Sequence, residues 1–401
     1  MSLEYQKLGD VADFIRGITY KPNDLVDNFS EGSIVCMRTA NVQVQLKQDD
    51  LLSVPANLVK NKDKFLIEGD ILVSTANSWN LVGKCCWIPK LEYSATAGGF
   101  ISILRANQEK LDQRYLYHWF NSPNTQLLAR NCGRQTTNIS NMDLDRCLSI
   151  KIPLPPLSEQ RRIASILDQA DELRQKRQQA IEKLDQLLQV TFIDMFGDPV
   201  SNPKGWEVGS LNNYGSYKNG LNFGKGESGN QVLYIGVGDF KQLSKIDDVS
   251  KLSTIDLDEL PSADYFIKNG DLLFVRSNGN KELVGRCIAV YPDEKLVTYS
   301  GFCIRYRIER SELTSAYLVH LFRAKSFKQT IFDGGQGANI QNINQQLLSR
   351  LQIPIPPKDL QEKWSKILLS IEDQKQNLYK QLDMQNQLFS SLQNQAFSGT
   401  L

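Results

Sequence analysis

At 401 residues the chain is too long for one ordinary core, so two to three domains are expected. With 41% apolar and 23% charged residues it reads as a folded soluble protein, and no apolar run approaches the roughly 18 residues that a membrane span needs. A net charge of +1 argues against a protein that grips nucleic acid by bulk electrostatics alone.

The opening "MSLEYQKLGD" has neither an apolar signal core nor a basic targeting pattern, so a cytoplasmic location is the default expectation. The cysteines are Cys36, Cys85, Cys86, Cys132, Cys147, Cys287 and Cys303. They are odd in number and lack CxxC spacing, which points to reduced, buried thiols and away from a disulfide framework or a zinc site.

Along the chain, "FLIEGDILVSTANSWNLVGKCCW" (65–87) places a short apolar strand directly after a Gly-Asp turn. "GGFISILR" (98–105) and the short helix "QRYLYHWFNSP" (113–123) follow, then "TNISNMDLDRCLSIKIPLPP" (137–156). Each block recurs with an offset of 201 or 202 residues. "FIKNGDLLFVRSNGNKELVGRCIAV" (266–290), "SGFCIRYR" (300–307), "SAYLVHLFRAK" (315–325) and "ANIQNINQQLLSRLQIPIPP" (338–357) are the second copies. One ancestral unit of about 200 residues is used twice, a period too long for a solenoid.

Each unit divides at its Pro-Pro pair, where proline ends a strand and helix begins. The expected parts are a mixed α/β domain over 1–157, a long helix over 158–200, a second α/β domain over 201–357 and a second long helix over 358–401. In the first helix Ile163, Leu167, Ala170, Arg174, Arg177, Ile181, Leu184 and Leu188 recur in steps of four and three. Trp364, Leu368, Ile371, Lys375, Leu378, Leu382, Gln385 and Phe389 occupy the matching places. Ile166, Leu173 and Leu187, with Ile367, Leu388 and Leu392, are expected to widen the stripes. A 3.5-residue period over nearly four heptads is a coiled-coil signal. The alternative is that each helix lies on its own globular domain.

The only histidines, His118 and His320, occupy matching helical positions and are expected to pack rather than catalyse. There is no GxGxxG after a strand, no P-loop and no HExxH. "SNPKGW" (201–206) lacks the second proline and adjacent aromatic of an amino-methyltransferase motif. A non-catalytic binding protein is the reading that remains.

The polar loops carry the binding chemistry. "STANSWNLVGK" (74–84) and "GRQTTNISN" (133–141) offer Asn77, Trp79, Asn80, Lys84, Arg134, Gln135 and Asn138. "RSNGNKELVGR" (276–286) and "GGQGANIQN" (334–342) offer Arg276, Asn278, Asn280, Lys281, Arg286, Gln336 and Asn339. Arg, Asn and Gln present paired donors and acceptors that match base edges in the major groove. Lys84 and Arg286 each follow a glycine and suit phosphates. The plainer alternative is solvated turns built by Asn and Gly. Residues 1–152 carry 17 basic and 16 acidic side chains, and 203–354 carry 18 and 16. Neither half is basic enough for tight DNA binding without clustering or a partner.

Two α/β units, each closed by I-P-x-P-P-x-x-x-Q and a long helix, resemble the specificity subunit of type I restriction-modification enzymes. The residues are Ile152, Pro153, Pro155, Pro156 and Gln160, then Ile353, Pro354, Pro356, Pro357 and Gln361. "GDILVS" and "GDLLFV" also resemble that family's target-recognition domains, and the resemblance spans essentially the whole chain. It implies an α+β fold with two α/β target-recognition domains in pseudo-two-fold arrangement, separated by two long helices forming an antiparallel coiled coil. Each domain would read one half of a split, asymmetric site in double-stranded DNA, and the helices would set the spacer. The resemblance further implies no catalytic site and no cofactor or metal held by this chain. Two methyltransferase subunits would use S-adenosylmethionine to methylate adenine, and restriction (helicase-nuclease) subunits would use ATP and Mg. The second copy departs from the first in reading "KDLQEK" where the first has "LSEQRR", so its partner contacts would differ. The heptad region from 163 to 188 would span roughly 39 Å at about 1.5 Å per residue. Half-sites one turn apart lie roughly 34 Å from each other. A stand-alone DNA-binding regulator and a coiled-coil scaffold remain the alternatives. Near-zero charge argues against the first and two intact α/β domains against the second.

Overall fold

The computed structural model describes residues 4–134, 139–224, 226–240, 244–333 and 342–401, with Lys281, Phe332 and Asp333 described by backbone only. It contains two compact units, Met1–Arg177 with Gln381–Leu401, and Gln178–Lys380. The division falls inside both long helices, Leu157–Phe196 and Lys358–Ser398.

In the first unit four antiparallel strands lie in the order Ala12–Arg16, Ile101–Ala106, Ile71–Ser74, Cys85–Trp87. A second sheet pairs Ser33–Met37 antiparallel with Ser53–Pro55 and parallel with Ala95–Ala97. The alternation of side chains along a strand explains why "DILVS" is apolar throughout. Ile71 and Val73 enter one core with Leu104, Tyr115, Leu116 and Phe120. Leu72 enters the opposite core with Cys86, Ile103, Val35 and Met37. The second unit repeats the pattern. Its sheet runs Gly215–Asn219, Cys303–Ile308, Asp271–Val275, Cys287–Val290, with Lys245–Ile246 added at the edge. Leu272 and Phe274 face the helix-side core, and Leu273 and Val275 face the other. All seven cysteines are buried free thiols.

The repeated Gly-Asp is a structural device. Gly69 and Gly270 take φ of +93° and +86°, a conformation that favours glycine. Asp70 then accepts the Ile67 amide at 2.8 Å and both Arg105 donors, Nε and Nη2, at 2.7 Å. Arg105 extends to the carbonyls of Asp63 and Phe65. Asp271 does the same with the Lys268 amide and Arg307, which also holds the Phe266 carbonyl. The glutamine of each Pro-Pro motif is fully engaged as well. Gln160 accepts the Asp112 amide and donates to the carbonyls of Lys110 and Pro155. Gln361 accepts the Thr314 amide and donates to the carbonyls of Glu312 and Pro356. The motif ties the start of each long helix to the turn that leads into the unit's short helix.

The long helices contain 40 and 41 residues, so the first continues well past Leu188. Within the first unit Arg174 donates to Asn386 at 2.7 Å, while Arg177 reaches Gln385 and Gln381. Within the second, Lys375 pairs with Asp185, and Phe192 lies 5.3 Å edge-on to Trp364. In both units the partner number falls as the other rises, so the pairing is antiparallel. Much of the apolar stripe covers the α/β domains. Ile163, Leu167 and Phe389 belong to the first unit's main core, with Ala170 packed against it. Leu188, Trp364, Leu368 and Ile371 belong to the second's, with Leu184 against it. Ile181 is buried, whereas Leu378 and Leu382 are half-buried. The widened stripe is corrected: Leu173, Leu187 and Leu388 are 56%, 48% and 58% exposed. Only positions that meet a facing helix or domain gain from burial, and a run of leucines on one helix does not supply that second surface.

The two histidines pack differently. His118 Nε2 lies 2.7 Å from Asp168, which also takes the Arg114 guanidinium. Burial pushes the Asp168 carboxyl up, but hydrogen bonds from His118 and Arg114 outweigh it and hold the group at about 2. His320 Nδ1 lies instead 3.3 Å from the Ala316 carbonyl. Burial, with Arg323 adding to it, pulls its imidazole from 6.5 to about 3. A folded value below the unfolded one makes the contribution to stability complete above pH 6.5, and it is lost as pH falls from there toward 3. His320→Gln is therefore expected to flatten the loss of melting temperature between pH 7 and pH 4.5, measured by circular dichroism. A wild-type melting temperature that stays level over that range would contradict this role.

Candidate nucleic-acid interface

Two loops far apart in sequence meet in each unit through their backbones. In the first, strand Ala76–Asn77 pairs antiparallel with Ser140–Asn141, and Arg134 bridges to Asn141. The Met142 amide donates to the Thr75 carbonyl at 2.8 Å. In the second, Ser277 bridges to Asn342, and the Ile343 amide donates to the Arg276 carbonyl at 2.9 Å. The loops named from sequence are thus brought together twice by equivalent pairing.

Their side chains divide into engaged and available groups. Asn77 donates to Ser74 at 3.2 Å and accepts the Ser78 amide. Asn278 and Asn280 use their carbonyl oxygens to accept the amides of Asn280 and Glu282, in Asx-turn fashion, which leaves their NH₂ groups to donate. Lys84 is half-buried and donates its ammonium to Gln43. Arg286 is half-buried, and burial pulls its guanidinium below the ordinary value. Arg134 and Asn80 are exposed, and Trp79 and Arg276 are half-exposed. Gln135, Asn138, Gln336 and Asn339 lie outside the described residues, as does the side chain of Lys281, whose backbone begins the turn Lys281–Leu283.

Two residues beside these loops escape a reading of polar chemistry. Phe100 and Phe302 are each 61% exposed at equivalent places in the repeat. The Phe100 carbonyl accepts the Thr75 amide at 3.0 Å, and the Phe302 carbonyl accepts the Arg276 amide at 2.7 Å. The sequence signal was the recurrence of "GF" ahead of a strand, which reads equally well as the first residue of a core. Among the described residues no group of histidine, cysteine and acidic side chains could hold a metal ion, and no helix is long and apolar enough to cross a membrane.

Duplicated α/β units that each join two polar loops at one edge define a repeated recognition module. The chain belongs to the family described as the type I restriction modification DNA specificity domain, which matches residues 2–183 and again 203–385. Its function is DNA specificity in such a system. It is 25% identical over 365 residues to the type I restriction enzyme StySPI specificity subunit of Salmonella potsdam, covering 86% of this chain and 77% of that one. The EcoKI specificity subunit of Escherichia coli is 25% identical over 363 residues, covering 84% and 76%. In fold it is similar to the S subunit of a type I restriction-modification system from M. genitalium. The TM-score is 0.56 at 16% identity, covering 99% of this chain and 96% of that one. A chain from a study of type I R-M complex assembly and conformational transition gives 0.54 at 16% identity, with full coverage of both.

Proposed function

We propose that each unit reads one half of a split, asymmetric DNA site and that the paired long helices set the spacer between the halves. The observation that carries this reading is the joining of two polar loops by equivalent backbone pairing in both units, with different side chains in each. Equivalent pairing gives both readers the same platform, and different side chains give them different bases. The chain performs no chemistry itself. It assembles with two methyltransferase subunits, which bring S-adenosylmethionine and modify adenine, and with restriction subunits that consume ATP with Mg. The relatives' own naming as enzyme subunits supports assembly. The near balance of charge in each half supports dependence on partners for phosphate contacts.

Arg276 is the sharpest test among the loop residues. Its Arg→Ala change should cost about 1–3 kcal/mol of specific binding if the guanidinium reads a guanine edge. The loss should fall on the second unit's half-site alone, as read by competition binding of the methyltransferase-bound chain to duplexes altered in one half. Unchanged affinity on every duplex would remove Arg276 from the interface.

A further inference from the structure

We propose that Phe100 and Phe302 are paired apolar base contacts, one for each half-site. The inference rests on the reading that the joined loops face DNA, and adds a contact that their polar chemistry does not supply.

Three observations converge. Both rings are 61% exposed, although phenylalanine gains roughly 1.5–3 kcal/mol from burial. Both sit at the same place in a tight turn. Ile101 closes Gly98–Ile101 by donating to the Gly98 carbonyl at 3.0 Å, and Cys303 closes Ser300–Cys303 by donating to the Ser300 carbonyl at 2.8 Å. Both turns are anchored to the loop that carries the polar readers. The Phe100 carbonyl takes the amides of Thr75 and Ala76, and the Phe302 carbonyl takes the amide of Arg276. In the second unit the Phe302 amide also donates to the Ser300 hydroxyl at 3.1 Å. The backbone is over-determined while the side chain is left in water.

The turns are built closely. Gly98 forms a parallel bridge to Ile18, and Ser300 one to Leu221. A Cβ on Gly301 would lie 1.9 Å from the Asn222 Oδ1 and one on Gly98 3.2 Å from the Met37 carbonyl, so small residues let the tip come in tight against its neighbour. An exposed ring on a fixed backbone turn, bonded to the loop that carries the polar readers, has the properties of a base-contacting aromatic. Such a ring presses on a thymine methyl or wedges at a base step. The duplication strengthens the case. Loop side chains differ between the units, as two different half-sites require, whereas the phenylalanine is the same in both. A shared apolar contact supplies affinity to either half without fixing its full sequence.

The test uses the full chain bound to its methyltransferase subunits and a duplex carrying the site found by mapping its methylation. Phe100→Ala and Phe302→Ala should fold with unchanged melting temperature, because neither ring is buried. Each should weaken specific binding about tenfold, the scale of losing one aromatic base contact. The slope of affinity against salt should not change, because no phosphate contact is lost. Phe100→Ala should relax base preference in one half-site and Phe302→Ala in the other, while Phe→Tyr should retain most of the binding. Specific affinity within twofold of wild type for both alanine variants, in a preparation where Arg276→Ala does weaken binding, overturns the phenylalanine contact and leaves the loop reading standing. A wild-type complex with no sequence preference overturns the loop reading itself.

Discussion

Asp70→Ala and Asp271→Ala are each expected to lower unfolding free energy by about 3–5 kcal/mol, the range for removing one partner of a buried ion pair. Both carboxylates are inaccessible, with side chains 0% and 2% exposed, and each accepts two guanidinium hydrogen bonds and one backbone amide. Alanine removes all three acceptor contacts and leaves Arg105 or Arg307 largely buried without its counter-charge. The arginine cannot discharge, because a guanidinium stays protonated in proteins. Its remaining bonds to loop carbonyls hold it in place. Changing both partners to leucine should recover part of the loss, because the desolvation cost disappears with the charges. Denaturant titration followed by circular dichroism gives the comparison. A loss below 1 kcal/mol would mean that the pair is solvated and that Gly-Asp marks only a turn.

Trp364→Ala is expected to cost about 3–5 kcal/mol, as large-to-small changes of buried aromatic residues do. The ring is fully buried and makes edge-to-face contacts with Phe192, Phe196 and His320, the last at 4.9 Å. Its indole N–H donates to the Ala316 carbonyl at 3.2 Å. The substitution opens a cavity and removes that hydrogen bond. Leu388→Ala, on the same helix and 58% exposed, should change stability by less than about 0.5 kcal/mol. Equal effects at the two sites would restore a coiled coil with a continuous broad apolar stripe.

The contrast between those helix positions shows where sequence is informative. Residues that recur in both copies are mainly scaffold. Gly69-Asp70 and Gly270-Asp271 build the same turn, Gln160 and Gln361 tie the same helix start, and Tyr115 and Tyr317 both donate to a proline carbonyl of the motif strand. The Gly-Asp turn and the Pro-Pro strand end are local chemistry and were legible, whereas the ties made by Gln160, Gln361, Tyr115 and Tyr317 reach 37 to 48 residues along the chain and were not. The use of polar residues is set by neighbours distant in the chain. Lys84 meets Gln43, 41 residues earlier, so its ammonium, expected from sequence to be free for phosphate, is already engaged within the protein. Asn278 and Asn280 brace their own loop with one half of each amide and keep the other half for donation. Which leucines of a long helix are covered depends on the second surface, which periodicity does not describe. Phe100 and Phe302 were hidden for the opposite reason. An apolar residue at the start of a strand reads as core, and only the fold shows these two in water.

If one chain carries two readers for two separate half-sites, the bases it directs for methylation reveal both. The test is co-expression of the full chain with the methyltransferase subunits proposed as its partners, followed by single-molecule sequencing of modified adenines across a random-sequence library. The expected result is one asymmetric motif in two specified parts, with an unspecified spacer of fixed length between them. A continuous motif, or modification without sequence preference, would contradict it.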